Sequence, residues 1–164
     1  MHEPVGPAWL VWLEGSAVAA AMRQWLWLYP IVEIVHILGF VILVGAAAMF
    51  DVRLLGFSRQ LPVADMARYL LRWARLSLLL VVPSGLLMFT AHATEMAGNP
   101  AFRLKLLLIA AAMLNAVSFH RGPFTSVKDW NRDVSIPASA KVAAVLSLLL
   151  WAGVITCGRL LAYL

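Results

Sequence analysis

The sequence predicts an all-α integral membrane protein, a four-transmembrane-helix bundle with an interfacial helix at the N-terminus. Hydrophobic residues make up 63% of the 164 residues and charged residues only 13%, whereas soluble domains have about 25% charged residues. Four apolar runs are each close to the roughly 20 residues that a helix needs to cross a hydrocarbon core of about 30 Å. These predicted spans are residues 29–50, 76–96, 101–120 and 138–163, within a single domain of residues 1–164.

The segment before the first span, residues 8–28, is apolar but interrupted by polar residues. Glu14, Arg23 and Gln24 would be costly at the centre of a membrane, so the sequence predicts a helix that lies in the interface. Pro30 fits the first turn of the first span, where its nitrogen needs no hydrogen bond.

The second span follows an amphipathic segment whose arginines share one helix face, namely Arg68, Arg72 and Arg75. Pro83 predicts a kink inside this span. The third span begins at Pro100, directly after a turn at Gly98-Asn99. Asn115 within it is expected to make a hydrogen bond to another helix.

The distribution of Lys and Arg predicts the orientation. The connections after the first and third spans carry nine basic residues and the opposite side carries four. Because cytoplasmic loops are enriched in basic residues, both termini are expected to be periplasmic, in a bacterial inner (cytoplasmic) membrane crossed several times. These bases flank apolar runs, which favours contacts with the lipid bilayer over a nucleic-acid surface. The nine are Arg53, Arg59, Arg68, Arg72, Arg75, Arg121, Lys128, Arg132 and Lys141, and the four are Arg23, Arg103, Lys105 and Arg159.

Two histidines in the apolar runs each have a carboxylate three residues away. Glu33 precedes His36 in the first span, and Glu95 follows His92 at the end of the second. Residues three apart lie on one face of a helix, so each pair points in a single direction. Ionisable groups inside a membrane are costly and by default indicate a functional site.

A count along the helices predicts that these histidines lie at one depth. His36 is 17 residues from Arg53, and His92 is 17 residues from Arg75. At about 1.5 Å per residue, both would lie roughly 25 Å from a boundary marked by the two arginines. His120, beside Arg121, is expected at the opposite, cytoplasmic boundary.

The first functional hypothesis is a small membrane redox protein that binds haem b in the periplasmic half. Two imidazoles at one depth on neighbouring antiparallel helices, His36 and His92, would be its axial ligands. Gly39 and Gly85 would leave room for the flat macrocycle. Three basic residues could pair with the propionates: Arg103, Lys105 and Arg159. The expected activity is electron transfer between a quinol or another membrane donor and a periplasmic redox partner.

The second hypothesis is a non-haem metal site. Glu33-x-x-His36 and His92-x-x-Glu95 run in opposite senses, so antiparallel helices would place the pairs face to face. Glu-x-x-His on facing helices recurs in di-iron bundles, although the third and fourth spans offer no further carboxylate. Copper, iron or zinc would all accept imidazole and carboxylate ligands.

The third hypothesis needs no cofactor. Glu33 and Arg159 could form an ion pair within a polar cluster of a structural or small-solute membrane protein. No arrangement of a nucleophile and a base indicates an enzyme, so enzymatic activity stays open. Small-residue faces at residues 45–48 and 110–112 suit close helix contact and predict a homo-oligomer.

The stretches YPIVEIVHILGFVILVGAAAMFDVRLLG and NPAFRLKLLLIAAAMLNAVSFHR resemble a family of bacterial four-helix membrane proteins known mainly as a domain of unknown function. The resemblance covers most of the chain. It implies the four-span fold but no established activity. A looser similarity, to copper-resistance membrane proteins of the D type and to small b-type cytochromes, rests on span number and intramembrane histidines alone.

Overall fold

The computed structural model describes residues 6–161 and Tyr163, and this part of the chain is entirely helical apart from turns and short connections. The α-helices are α1 (Ala8–Glu14), α2 (Ala17–Gln24), α3 (Leu28–Leu54), α4 (Val63–Ala91), α5 (Ala93–Gly98), α6 (Pro100–Arg121) and α7 (Ala138–Leu160), with a 3₁₀ helix at Pro123–Trp130. Four of them, α3, α4, α6 and α7, are long and apolar enough to cross a membrane. The prediction of an all-α fold with four candidate spans is confirmed.

The second long helix has different ends from the predicted span 76–96. α4 begins at Val63, so the arginine-bearing segment and the apolar run form one helix that continues through Pro83. Val63 and Ala67 are buried in this first part, which shows why packing of one face extends the helix beyond its apolar run. The helix ends at Ala91 because His92 adopts φ −142° and ψ 49°, outside the helical region.

The predicted N-terminal helix is divided into two short helices. Ser16 has an extended backbone, and its hydroxyl accepts a hydrogen bond from the amide of Ala19, which starts α2 as an N-cap. α1 packs against α5, and α2 packs against α4. We call the end of the bundle covered by α1, α2 and α5 the capped end.

Four hydrogen bonds made by side chains hold α1 and α2 in place. Arg23 donates through Nη1 to the Ala91 carbonyl at 2.8 Å and through Nη2 to the Glu14 carbonyl at 2.9 Å. The Glu14 carboxylate accepts from the amide of Thr94 at 2.9 Å and from its hydroxyl at 2.6 Å. α1 and α2 are thereby tied to the junction of α4 and α5.

The opposite end, which we call the loop end, has the larger buried core. Phe50 and Leu54 of α3 pack there with Val63, Phe119 and Trp130. Arg53 is only 1% exposed. Its guanidinium donates to three main-chain carbonyls, those of Leu61 (2.8 Å), Arg59 (3.0 Å) and Asn131 (3.4 Å). Arg53 therefore joins α3 to both connections at this end.

Candidate functional site

His36 of α3 is held against α4 by its Nδ1 atom. Nδ1 lies 3.0 Å from the carbonyl oxygen of Val81 and 3.0 Å from Oγ of Ser84. The Ser84 hydroxyl donates its own hydrogen to the Leu80 carbonyl. A carbonyl can only accept, so Nδ1 carries a hydrogen and donates it to Val81. Nε2 has no hydrogen-bond partner among the described residues, and in the neutral ring its lone pair is free to bind a ligand.

The two glycines allow α3 and α4 to approach closely. A Cβ atom on Gly85 would lie 3.0 Å from Cε1 of His36, and one on Gly39 would lie 2.9 Å from side-chain atoms of Leu80 and Val81. The prediction that these glycines leave open space for a macrocycle is therefore wrong. The imidazole fills the space at Gly85, and α4 side chains fill the space at Gly39.

The register of α3 and α4 places the two histidines at different levels. His36 contacts Gly85, whereas His92 lines a recess with Tyr29. Tyr29 precedes His36 by seven residues and His92 follows Gly85 by seven. At about 1.5 Å per residue, His92 lies roughly 10 Å nearer the capped end than His36. The prediction of a common depth was wrong because its two reference residues, Arg53 and Arg75, are not level.

His92 lies at the surface of the capped end. Half of its side chain is exposed, and Nδ1 lies 3.7 Å from Oε2 of Glu95. The recess it shares has a volume of about 320 Å³ and is also lined by Met22, Arg23 and Tyr29. The second predicted His–carboxylate pair is thus in contact at the surface, and His92 also lines this recess.

The predicted metal ligands do not converge. Within residues 6–161 and Tyr163, no group of three or more His, Cys, Asp or Glu side chains is placed to hold a metal ion. Glu33 is exposed and takes part in none of the ion pairs of this part of the chain. The four residues Glu33, His36, His92 and Glu95 are therefore not brought together.

Of the three basic residues predicted to face propionates, Lys105 is the one that lies inside the bundle. Lys105 is partly buried between α6 and α7, with Nζ 3.7 Å from the Cβ position of Gly158. Its charge is close enough to act on the His36 imidazole. Arg103 is exposed and donates to the Ala97 carbonyl at 2.8 Å.

Arg159 is also exposed, and its guanidinium lies over the Tyr163 ring, 4.8 Å from the centroid. It takes part in no ion pair within the described residues. The predicted Glu33–Arg159 pair is not formed. The predicted polar cluster therefore lacks the ion pair on which it was based.

Two features of the interior were not singled out from the sequence. One is Ser84, whose hydroxyl oxygen lies 3.0 Å from Nδ1 of His36. Its contact with His36 could have been inferred from its position beside Gly85, on a helix antiparallel to that of His36. The other is that Asp51 is buried, whereas the sequence predicted a boundary ion pair with Arg53, and none of the ion pairs of the described residues includes it. Asn115 behaves as predicted, since its amide donates to the Ala143 carbonyl of α7 at 2.9 Å.

The fold and its apolar helices define an α-helical membrane protein with four candidate spans. The chain belongs to the family of unknown function DUF6644, whose family model matches residues 9–164. No curated protein and no solved structure shows significant similarity to it.

Proposed function

We propose that this protein is a small membrane redox protein that binds haem b in the half of the bundle near the capped end, with Nε2 of His36 as an axial ligand. The observation that supports this proposal most is the 3.0 Å contact between His36 Nδ1 and the Val81 carbonyl. Histidines that ligate metals almost always donate their other ring hydrogen to a carbonyl, carboxylate or water, which fixes the tautomer and the ring orientation.

The donor set favours haem over a non-haem metal. A porphyrin already supplies four nitrogen ligands, so one or two protein side chains are enough to hold the iron. A non-haem copper or iron site needs three or more protein ligands in most proteins, and the described residues assemble no such group. Lys105, which points into the bundle near His36, supplies a positive charge for a propionate.

His92 remains the proposed second ligand, but the fold does not hold it level with His36. Its backbone interrupts the helix, since α4 ends at Ala91 and α5 begins at Ala93. Ligation by His92 would require this junction to move toward the bundle centre when haem binds. The spin state separates the two cases, because two imidazoles give a low-spin six-coordinate iron and His36 alone gives a high-spin five-coordinate iron.

Electron exchange would take place at the capped end, which we place on the periplasmic side in accordance with the excess of basic residues at the loop end. A single haem near one face cannot carry electrons across the whole membrane. The proposed partners are therefore a quinol in the bilayer and a redox protein that docks at the same face.

The test is an optical spectrum of the protein purified after haem-supplemented expression. We expect a Soret band and α and β bands that sharpen on reduction. A colourless protein that also fails to bind added haem would contradict the proposal. Analysis of copper and iron in the same sample would then test the non-haem alternative.

A further inference from the structure

Asp51, in the last turn of α3, is a buried carboxyl group at the loop end. It is only 6% exposed, and its Oδ2 atom is buried without a hydrogen-bond partner among the described residues. Buried polar atoms are nearly always hydrogen-bonded, so an unpaired carboxyl oxygen needs a specific explanation.

The carboxyl group lies where three long helices meet. Ser147 of α7 lies next to it and carries a hydroxyl that is able to donate to the carboxyl group. One turn before Ser147, the Ala143 carbonyl accepts from Asn115 of α6. The ring of Phe50, beside Asp51 in the chain, packs against Phe119 of α6 with centroids 5.8 Å apart. Asp51 is therefore buried near the contact of α3 with α7, and its chain neighbour Phe50 packs on α6.

No positive charge compensates Asp51 within the described residues. None of their ion pairs includes it. Arg53 donates through Nε and Nη2 to carbonyls of the connections at this end, and its Nη1 is also buried without a hydrogen-bond partner among the described residues. The other titratable side chains of α4, α6, the 3₁₀ helix and α7 at the loop end are exposed. They are Asp65, Arg68, Tyr69, Arg72, His120, Arg121, Lys128, Asp129 and Lys141. A bare carboxylate in such surroundings is costly.

We propose that Asp51 and Ser147 form a proton-binding site in the assembled bundle. The proton is bound at Oδ2, and the neutral carboxyl group keeps α3 packed against α7. Release transfers this proton to water and leaves a negative charge between the two helices, which weakens their contact. The site is separate from the proposed haem site, because Asp51 follows His36 by 15 residues of α3, or about 22 Å of helix rise.

Infrared spectroscopy of the purified protein tests the bound proton directly. We expect a carboxylic-acid C=O band at neutral pH that is absent from Asp51→Asn and present in Asp129→Asn. Asp129 is an exposed aspartate near the same end, so its variant makes the same Asp-to-Asn substitution without touching the site. If Asp51→Asn fails to assemble, Ser147→Ala replaces it, and the band should shift because its hydrogen-bond partner is lost. A band unchanged in the variant that assembles would overturn the proposal.

Thermal unfolding in detergent tests the consequence for stability. The folded protein holds a proton that the unfolded chain releases, so stability should fall as the pH rises from about 5 to about 9. We expect a midpoint lowered by at least about 3 °C in the wild type and in Asp129→Asn, and no such decrease from this group in Asp51→Asn. Equal pH dependence in all three proteins would contradict the proposal. A midpoint that rises with added sodium or potassium only when Asp51 is present would also contradict it, because the site would then bind a cation.

Discussion

A Cβ atom on Gly39 would lie 2.9 Å from Cγ2 of Val81, so the backbone of α3 touches the side chains of α4. This contact is less than one helical turn from His36, whose Nδ1 donates to the carbonyl of the same valine. The close approach of the two helices and the anchoring of the imidazole are therefore one structural feature.

Gly39→Ala tests the close approach. The added methyl group must displace Leu80 or Val81, and we expect a loss of about 1–3 kcal/mol in stability, measured by thermal or denaturant unfolding in detergent. Gly45→Ala is the matched control on the same helix, because a Cβ atom there meets nothing within 4 Å. The control should be neutral or slightly stabilising, since alanine favours helix more than glycine does. Equal losses in both variants would show that the contact at Gly39 does not limit packing.

Ser84→Ala tests the support of the imidazole. It removes one of the two groups that lie 3.0 Å from His36 Nδ1 but leaves the Val81 carbonyl in place. We expect haem affinity to fall about 10–100-fold, with the bundle intact, as is typical when a group that orients a metal ligand is lost. Ser77→Ala is the control, because Ser77 is a buried serine of α4 that donates to the Ala74 carbonyl at 2.8 Å. Haem titrations that give the same affinity for both variants would contradict the proposed role of Ser84.

Glu14→Gln tests the cover at the capped end. Burial raises the pKa of the Glu14 carboxyl, but the hydrogen bonds from Thr94 and the charge of Arg23 outweigh it, so the pKa is lower than usual. A group with a lowered pKa stabilises the fold above its unfolded value and loses this contribution as the pH falls through its folded value. The variant should therefore unfold a few degrees below the wild type at neutral pH.

The difference between wild type and Glu14→Gln should shrink as the pH falls below the ordinary carboxyl pKa of about 4.3. It should disappear once the carboxyl of the folded protein is protonated, because both side chains are then neutral. Glu95→Gln is the control, because the side chain of Glu95 is 81% exposed. We expect it to unfold like the wild type at every pH. If the unfolding midpoint of Glu14→Gln stays equally far below that of the wild type in acid, the shape of the Glu14 side chain rather than its charge stabilises the packing of α1 and α2.

The four long helices could be predicted from the sequence because each must present an apolar surface about 20 residues long. The start of α4 at Val63 could not be predicted in this way. Its first turns carry arginines on the exposed face, and they are helical because Val63 and Ala67 pack into the core of the loop end. The division of the N-terminal helix could have been predicted from Gly15-Ser16, because a glycine suits a helix end and a serine suits the N-cap of the next helix.

The level of His92 relative to His36 was not predictable, because it depends on how α3 and α4 are aligned. Arg53 is bonded to carbonyls of the connections at the loop end, including that of Leu61. Because His36 contacts Gly85, Arg53 lies about level with Arg68 of the antiparallel α4. Arg75 is seven residues farther along α4, or about 10 Å. Because the prediction treated Arg53 and Arg75 as level, it placed His92 almost two helical turns too close to the loop end. Hydropathy locates a helix in the membrane, but tertiary contacts set its register.

Ligation of haem by Nε2 of His36 is tested by the haem content of His36→Ala. His120→Ala is the matched control, because His120 also has Nδ1 close to a carbonyl, that of Ala116 at 2.8 Å, but is exposed at the loop end. Both proteins would be purified after haem-supplemented expression, checked for helical content and assembly, and compared by reduced-minus-oxidised spectra. We expect His36→Ala to remain folded and lose its haem bands, while His120→Ala keeps the wild-type spectrum. Haem retained in His36→Ala, or lost in His120→Ala instead, would contradict the account.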